Sequence, residues 1–214
     1  MKYKHIIFDV DGTLIDTEQA VLLSLQDTML ELENKHYEFS ELRFVLGIPG
    51  ETALKQLGIS DTLKSNHVWN EKLKKYFHTV SLFPGIAELI GELSTSGIRL
   101  GIITSKNQIE FKQDFIPFGL ADYFDIIICV EDSERPKPFP DPMFSYLKKA
   151  GINSSDALYI GDTAYDRECA SAAGADFGLA LWGYKSSIPI EANYYFKTTR
   201  EVLDRLVAPT PGMV

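Results

Sequence analysis

Residues 5–17 read HIIFDVDGTLIDT, in which a short apolar run leads directly into two aspartates. The run is continuous and rich in isoleucine, as is typical of a strand buried in a parallel sheet. Burial of carboxylates is costly, so a strand that ends in Asp9 and Asp11 indicates a site that uses both side chains. Alternation along a strand would point them in opposite directions, and Gly12 permits the turn that brings them together.

The composition is typical of a globular protein with a substantial core. The chain has 214 residues, 45% of them hydrophobic, which suits one large domain or a domain with an insert. The net charge of -9 argues against a nucleic-acid partner. We find no apolar run of membrane-spanning length and no signal-peptide pattern, and the two cysteines fit a reducing compartment. We therefore expect a cytoplasmic protein without membrane partners, either a monomer or a weak homodimer.

Short apolar runs alternate with amphipathic stretches along most of the chain. This alternation predicts an α/β fold with a Rossmann-like parallel sheet. Strands are predicted at 5–8, 99–103, 125–130, 157–160, 176–181 and 194–196. Helices are predicted between them at 85–96, 108–117, 141–150, 165–173 and 199–206.

The segment 16–82 breaks this alternation. It contains no predicted strand, and helices are predicted at 20–32, 40–46, 51–57 and 61–80. Asp16 and Gln19 have the spacing of a capping box ahead of the first of these helices. We therefore predict an all-helical cap, 16–82, inserted into a catalytic core formed by 1–15 and 83–214.

Ligands of a parallel α/β sheet bind at the carboxyl ends of its strands. Crowded carboxylates repel one another unless a cation neutralises them, and oxygen ligands without histidine or thiolate suit Mg2+. A carboxylate beside such a metal and a lysine suits phosphoryl transfer, with a second carboxylate as general acid and base. The polar residues predicted at this edge are Asp9, Asp11, Thr104, Ser105, Lys137, Asp162 and Asp166.

Four motifs occur in order along the chain: DVDGTLIDT, IITSK, the loop around Lys137, and GDTAYD. Together they resemble the four motifs of the haloacid dehalogenase (HAD) superfamily. The helical insert resembles the cap of the subfamily that includes phosphoglycolate phosphatase, pyrophosphatase and β-phosphoglucomutase. The resemblance implies a HAD-like fold and a Mg2+-dependent enzyme acting on a small phosphorylated metabolite.

The resemblance also implies roles for the aspartates. Asp9 would be the nucleophile and a metal ligand. Asp11 would be the general acid and base, and its backbone carbonyl would bind Mg2+. Asp162 would bind the metal, and Asp166 would assist directly or through water.

The remaining motif residues are implied to bind phosphate. Thr104 would hydrogen-bond the transferring phosphoryl group, helped by backbone N–H groups near Ser105, and Lys137 would neutralise phosphate charge and steady the nucleophile. Lys106 and Asn107, which follow, are interpreted as residues that cap the next helix and interact with solvent. In the cap, the candidate substrate contacts are Glu18, Arg43 and Gly50.

Three functions remain open: a HAD-like phosphatase, a β-phosphoglucomutase-like phosphomutase, and a non-catalytic phosphate-binding or regulatory protein of the same fold. Dehalogenases of the superfamily lack an aspartate at the position of Asp11, so its presence argues for phosphoryl chemistry. Gly50 stands where β-phosphoglucomutases typically carry an arginine, which argues against a mutase. Phosphoglycolate, pyrophosphate, nucleoside monophosphates and sugar phosphates all remain possible substrates.

Overall fold

The computed structural model describes residues 2–185 and 188–207 of the chain. Within these residues, no helix is both long enough and apolar enough to cross a membrane. The strands formed by the described residues are β1 (His5–Phe8), β2 (Ile15–Asp16), β3 (Ser81–Leu82), β4 (Arg99–Ile103), β5 (Ile126–Ile128), β6 (Ala157–Gly161), β7 (Asp176–Ala180) and β8 (Tyr194–Phe196).

Six of these strands form one sheet, in the order β5-β4-β1-β6-β7-β8, and every neighbouring pair in it is parallel. The α/β class with a parallel sheet is thereby confirmed. The α-helices formed by the described residues are α1 (Glu18–Glu33), α2 (Phe39–Leu42), α3 (Gly50–Gln56), α4 (Thr62–Tyr76), α5 (Ile86–Thr95), α6 (Gln108–Asp114), α7 (Asp141–Ala150), α8 (Ala164–Ala172) and α9 (Thr199–Leu206).

Both faces of the sheet are covered, which explains why its central strands are mainly apolar. On β1, Ile6 and Phe8 belong to a hydrophobic cluster that contains side chains of α5 and α9. Ile7, between them, belongs to a second cluster that contains side chains of α7 and α8. The strand is buried along its length, so its polar neighbours can meet a ligand only at its ends.

The helical insert between β2 and β3 has a hydrophobic cluster of its own. Helix α1 packs against α4, and the cluster includes Leu22 and Leu25 from the first helix and Trp69 from the second. The indole Nε1 of Trp69 donates to Ser24 Oγ at 2.9 Å, which satisfies the buried N–H group. A separate cluster supports the division into core and cap, although the boundaries at 16 and 82 remain predictions.

Two expectations for the insert are wrong at its ends. Strands β2 and β3 pair in antiparallel fashion, Ile15 with Leu82, although no strand was expected between 16 and 82. Two-residue strands carry too little periodicity to be read from a sequence. The predicted capping box is also wrong, because Thr17 is the N-cap of α1 and makes no side-chain cap bond, while Asp16 Oδ1 accepts from the Glu18 N–H at 3.2 Å.

The other differences concern element ends. The predicted strand 125–130 is shortened to β5 because the chain forms a 3-10 helix at Val130–Asp132. The predicted helices 40–46 and 61–80 each end in a 3-10 turn, Arg43–Val45 and Phe77–Thr79 respectively. Helix ends commonly tighten in this way, so boundaries are less predictable than the elements themselves.

Candidate active site

The candidate site lies at the carboxyl edge of the three central strands. Strand β1 lies between β4 and β6, and these three strands are followed directly by Asp9, Thr104 and Asp162 respectively. The Asp9 N–H donates to the Ile160 carbonyl at 2.9 Å, so the aspartate continues the pairing of β1 with β6. Residues from three distant parts of the sequence therefore converge, because neighbouring parallel strands end side by side.

A cavity of about 1030 Å³ opens at this edge, between the sheet and the helical insert. Asp9, Asp11 and Asp162 line it from the sheet side. Glu18 and Arg43 line it from the insert. The residues predicted to act in catalysis and the residues predicted to contact the substrate therefore line the same cavity.

The chain turns sharply after β1 at Gly12. Its φ of +76° is a left-handed conformation that residues with a Cβ rarely adopt. A Cβ at this position would also lie 2.2 Å from Asp162 Oδ2, so space as well as conformation requires glycine. The turn places Thr13 next to the same carboxylate, and Thr13 Oγ1 donates to Asp162 Oδ1 at 3.0 Å.

Three carboxylates form a cluster, and two of them, Asp9 and Asp162, line the cavity. Asp9, Asp162 and Asp166 each offer an oxygen, and these oxygens lie within 4.8 Å of one another. Burial raises the pKa of Asp9 to about 8, although the positive charge of Lys137 acts to lower this pKa. Burial, with the neighbouring charges of Asp166 and Asp9, also holds the pKa of Asp162 well above its usual range. A set of oxygen donors whose ionised forms repel one another fits a hard divalent cation.

Lys137 is buried against two members of this cluster. Its Nζ lies 3.1 Å from Asp9 Oδ1 and 2.6 Å from Asp166 Oδ1, and it donates to the Tyr159 hydroxyl at 3.2 Å. Burial alone would lower the pKa of Lys137, but the carboxylates of Asp166 and Asp9 outweigh it and raise the pKa above its usual value. The lysine is therefore a fixed positive charge beside Asp9.

Asp166 anchors this lysine and the start of α8. Its Oδ2 accepts from the Thr163 N–H at 3.0 Å and from Thr163 Oγ1 at 2.6 Å, which forms a capping box with the N-cap. Its Oδ1 accepts from Lys137 and, at 2.9 Å, from Tyr159. Both oxygens are thus engaged by the protein, although the residue belongs to the carboxylate cluster.

Thr104 and Ser105 follow β4 at the same edge of the sheet but differ in their contacts, and of the two only Ser105 is in the described lining of the cavity. Thr104 is buried, and its Oγ1 accepts from the Lys106 N–H at 3.2 Å. Ser105 Oγ donates to the carbonyl of Gly47, in a loop of the helical insert, at 3.1 Å. Neither residue caps α6, because Asn107 is the N-cap and accepts from the Glu110 N–H. The capping role expected for Asn107 is confirmed.

The expectation that Lys106 caps a helix and interacts with solvent is wrong. The residue is only 9% exposed, and its Nζ lies 3.1 Å from Asp11 Oδ1 and 2.6 Å from Asp114 Oδ2. One pattern in the sequence indicates that Asp114 needs such a partner. Asp114 shares a helix face with the apolar Phe111 and Phe115, and an acid on a buried face needs a buried partner.

The three cap candidates all line the cavity. Arg43 Nε lies 3.0 Å from Glu18 Oε1, and Lys185 Nζ lies 3.8 Å from Glu18 Oε2. A Cβ at Gly50 would lie 2.2 Å from Asn66 Oδ1, so Asn66 occupies the place into which a longer side chain would extend. Contact of these residues with a substrate remains a prediction.

Comparisons with known proteins agree with this geometry. Residues 6–180 match the haloacid dehalogenase-like hydrolase family. The phosphoglycolate phosphatase of Aquifex aeolicus is 31% identical over 193 residues, which cover 86% of this chain and 89% of that protein. The pyrophosphatase PpaX of Halalkalibacterium halodurans is 26% identical over 214 residues, covering 95% and 97%. The chain therefore belongs to the haloacid dehalogenase-like hydrolase family.

A solved structure shows the same architecture. A haloacid dehalogenase-like family hydrolase from Streptococcus pneumoniae superposes with a TM-score of 0.84 at 25% identity. The match covers 94% of this chain and 97% of that protein. The family resemblance inferred from the four motifs is thus confirmed.

Proposed function

We propose that the protein is a Mg2+-dependent phosphatase that hydrolyses a small phosphomonoester through an aspartyl-phosphate on Asp9. The proposal rests on the surroundings of Asp9, which lines the cavity, lies 3.1 Å from Lys137 and shares a carboxylate cluster with Asp162. A carboxylate nucleophile needs nearby positive charge to approach an anionic phosphoryl group. Similarity to a phosphoglycolate phosphatase supports the same reaction class.

Asp9 and Asp162 would hold the Mg2+, together with the backbone carbonyl of Asp11. When bound, the metal supplies positive charge that offsets the crowded carboxylates and the phosphoryl oxygens. Both oxygens of Asp166 already accept hydrogen bonds from Lys137, Tyr159 or Thr163, which favours an assisting role through water.

In the first step, a carboxylate oxygen of Asp9 attacks phosphorus, and the bond from phosphorus to the ester oxygen breaks. Asp11 in its acid form gives its proton to that oxygen, so the leaving group departs as a neutral alcohol. In the second step, Asp11 takes a proton from water. The water oxygen attacks phosphorus, the bond to Asp9 breaks, and inorganic phosphate is released.

Lys137, Thr104 and the backbone near Ser105 would stabilise the phosphoryl group during both steps. Lys137 provides charge without needing to move, because it is held by two carboxylates. The hydroxyl proton of Thr104 is available to a phosphoryl oxygen, because Thr104 Oγ1 accepts from the Lys106 N–H. Such fixed donors are effective where charge spreads over phosphoryl oxygens.

A phosphomutase is the second candidate, and the cap argues against it. The position of Gly50 carries no arginine, and Asn66 lies over it. The cytoplasmic location and the monomeric or weakly dimeric state remain predictions.

Phosphate release from a panel of phosphomonoesters and pyrophosphate, with and without Mg2+, tests the proposal. Asp9→Asn is the control, because asparagine keeps the shape and removes the nucleophile. Release that requires both the metal and Asp9 is the expected result. Absence of release from every compound, with sugar-phosphate isomerisation instead, would favour the mutase, and phosphate binding without turnover would favour a regulatory protein.

A further inference from the structure

We propose, on the basis of the phosphatase function above, that the substrate's leaving group carries no second anion and has an apolar body. This class comprises phosphate esters of neutral or cationic organic alcohols. It excludes phosphoglycolate and pyrophosphate, whose leaving groups contain a carboxylate or a second phosphate, as preferred substrates. The inference comes from the charges and the apolar side chains that line the cavity.

Acidic side chains outnumber basic ones along the described lining of the cavity, even when Asp9 and Asp162, which would face the metal, are set aside. The basic residues in that lining are Arg43, Lys106, Arg167 and Lys185. A second anion on the substrate would need at least one of these cations to be available, because an uncompensated buried charge is costly.

The two cations nearest the insert already have an acidic partner, Glu18. Arg43 and Lys185 contact the two oxygens of Glu18, at 3.0 Å and 3.8 Å. Asp16 adds a further negative charge to the same lining, and its Oδ1 accepts from the Glu18 N–H. An anion entering this part of the cavity would meet Glu18 and Asp16 together with the two cations, so it would gain little attraction.

The other two cations are also paired. Lys106 lies between Asp11 and Asp114 and is buried. Arg167 lies 3.8 Å from Glu191, a contact at the exposed rim of the cavity. Lys106 is therefore committed to two carboxylates, and Arg167 lies at the exposed rim, where solvent weakens its attraction for an anion on the leaving group.

The rest of the lining favours an apolar body. The aromatic ring of Phe44 remains 39% exposed, and the half-buried Val21, Leu73 and Tyr165 line the same cavity. Its volume of about 1030 Å³ is far larger than glycolate or phosphate requires. Pockets of roughly 300–1,000 Å³ usually hold ligands with many more atoms and substantial apolar surface. An apolar leaving group would cover these side chains and remove water from the site.

The first test compares matched substrates. Glycerol 3-phosphate and 3-phosphoglycerate share a carbon skeleton, but one ends in a hydroxymethyl group and the other in a carboxylate. We expect kcat/KM to be roughly tenfold or more higher for glycerol 3-phosphate, whose leaving group is uncharged, than for 3-phosphoglycerate. We also expect it to be higher for benzyl phosphate than for ethyl phosphate. Equal or greater kcat/KM for 3-phosphoglycerate, phosphoglycolate or pyrophosphate would overturn the inference while leaving the phosphatase proposal intact. Phosphate release from none of the compounds would overturn both.

The second test removes the acid that pairs with both Arg43 and Lys185. Glu18→Gln should raise kcat/KM for 3-phosphoglycerate relative to glycerol 3-phosphate by roughly three- to tenfold, since Arg43 and Lys185 become free to attract a carboxylate. Glu33→Gln is the matched control, because it makes the same charge change on the same helix about 22 Å away. A ratio that is unchanged in Glu18→Gln, in a variant with wild-type Tm, would also overturn the inference.

Discussion

The ammonium group of Lys106 lies 3.1 Å from Oδ1 of Asp11, the carboxylate proposed to act as general acid and base. The same oxygen accepts a hydrogen bond from Thr17 Oγ1 at 2.8 Å, so two donors converge on it. On its other side, Lys106 contacts the buried Asp114 at 2.6 Å. Lys106 therefore orients the Asp11 side chain, and Asp114 holds Lys106 in place.

Replacement of Lys106 by methionine should lower kcat by roughly ten- to a hundredfold, because Asp11 loses the contact that orients it. It should also lower the free energy of unfolding by about 3–5 kcal/mol, since Asp114 would remain buried without its partner. Steady-state kinetics and urea unfolding measure the two effects. The double variant K106M/D114N is the control, and it should regain most of the stability but none of the lost kcat. Wild-type kcat in K106M would show that Lys106 has no positioning role.

Asp162→Asn should raise the Tm of the metal-free protein near neutral pH and abolish its response to Mg2+. Burial and the nearby Asp166 and Asp9 hold the pKa of Asp162 well above its usual range, so its ionised form is unfavourable without metal. Asparagine removes the charge and can still accept from Thr13. Thermal unfolding in EDTA and in excess Mg2+ measures both effects.

Asp122→Asn provides a control for the change in net charge, because Asp122 is exposed and outside the cavity lining. This variant should keep the wild-type increase in Tm with Mg2+. An equal increase in Asp162→Asn would exclude Asp162 as a metal ligand.

Asp9 should make a contribution to the stability of the metal-free protein that decreases as the pH rises. Burial raises the pKa of Asp9 from 3.8 to about 8, so between these values the folded protein holds a proton that the unfolded chain has released. The stabilisation is complete below the unfolded value and is lost progressively as the pH rises through the folded value. Urea midpoints in EDTA, from about pH 5.5 to about pH 8.5, measure it for wild type and Asp9→Asn.

The difference between these two proteins isolates the contribution of Asp9 from that of other titrating groups. Wild type should lose more stability than Asp9→Asn as the pH rises. Excess Mg2+ should reduce the difference, because the metal competes with the proton for the carboxylate. Parallel profiles in EDTA would mean that Asp9 titrates normally in the folded protein.

His5 should contribute a pH dependence of the opposite sign. Burial, with the nearby charge of Arg99, lowers the pKa of His5, whose Nδ1 lies 3.0 Å from the Tyr146 hydroxyl. Below about pH 6.5 the unfolded chain takes up the proton more readily than the folded protein, so stability falls on acidification. His5→Asn should flatten this fall, measured by urea unfolding in Mg2+ at about pH 5 and about pH 7.5. An equally steep fall in the variant would assign the acid sensitivity to other groups.

Much of the fold could be predicted because it depends on local patterns. A strand buried on both faces is mainly apolar, and apart from His5 and Arg99 at their first positions β1 and β4 carry that pattern, as does β6. Their ends then place Asp9 and Asp162 at one edge by topology alone. The insert was equally evident from its helical periodicity, whereas its short β2–β3 pair was not.

The sequence by itself thus determined the sheet, the helical insert and the carboxylate cluster, because strand periodicity and strand ends are short-range properties of a chain. Only the tertiary structure decided that Lys106 is buried beside Asp11, that Ser105 bonds to Gly47, and that Glu18 meets Lys185. Such contacts join segments that are far apart in the chain, and the last two also depend on how the insert packs over the sheet. The charge balance of the cavity, on which the proposed choice of substrate rests, belongs to this second group.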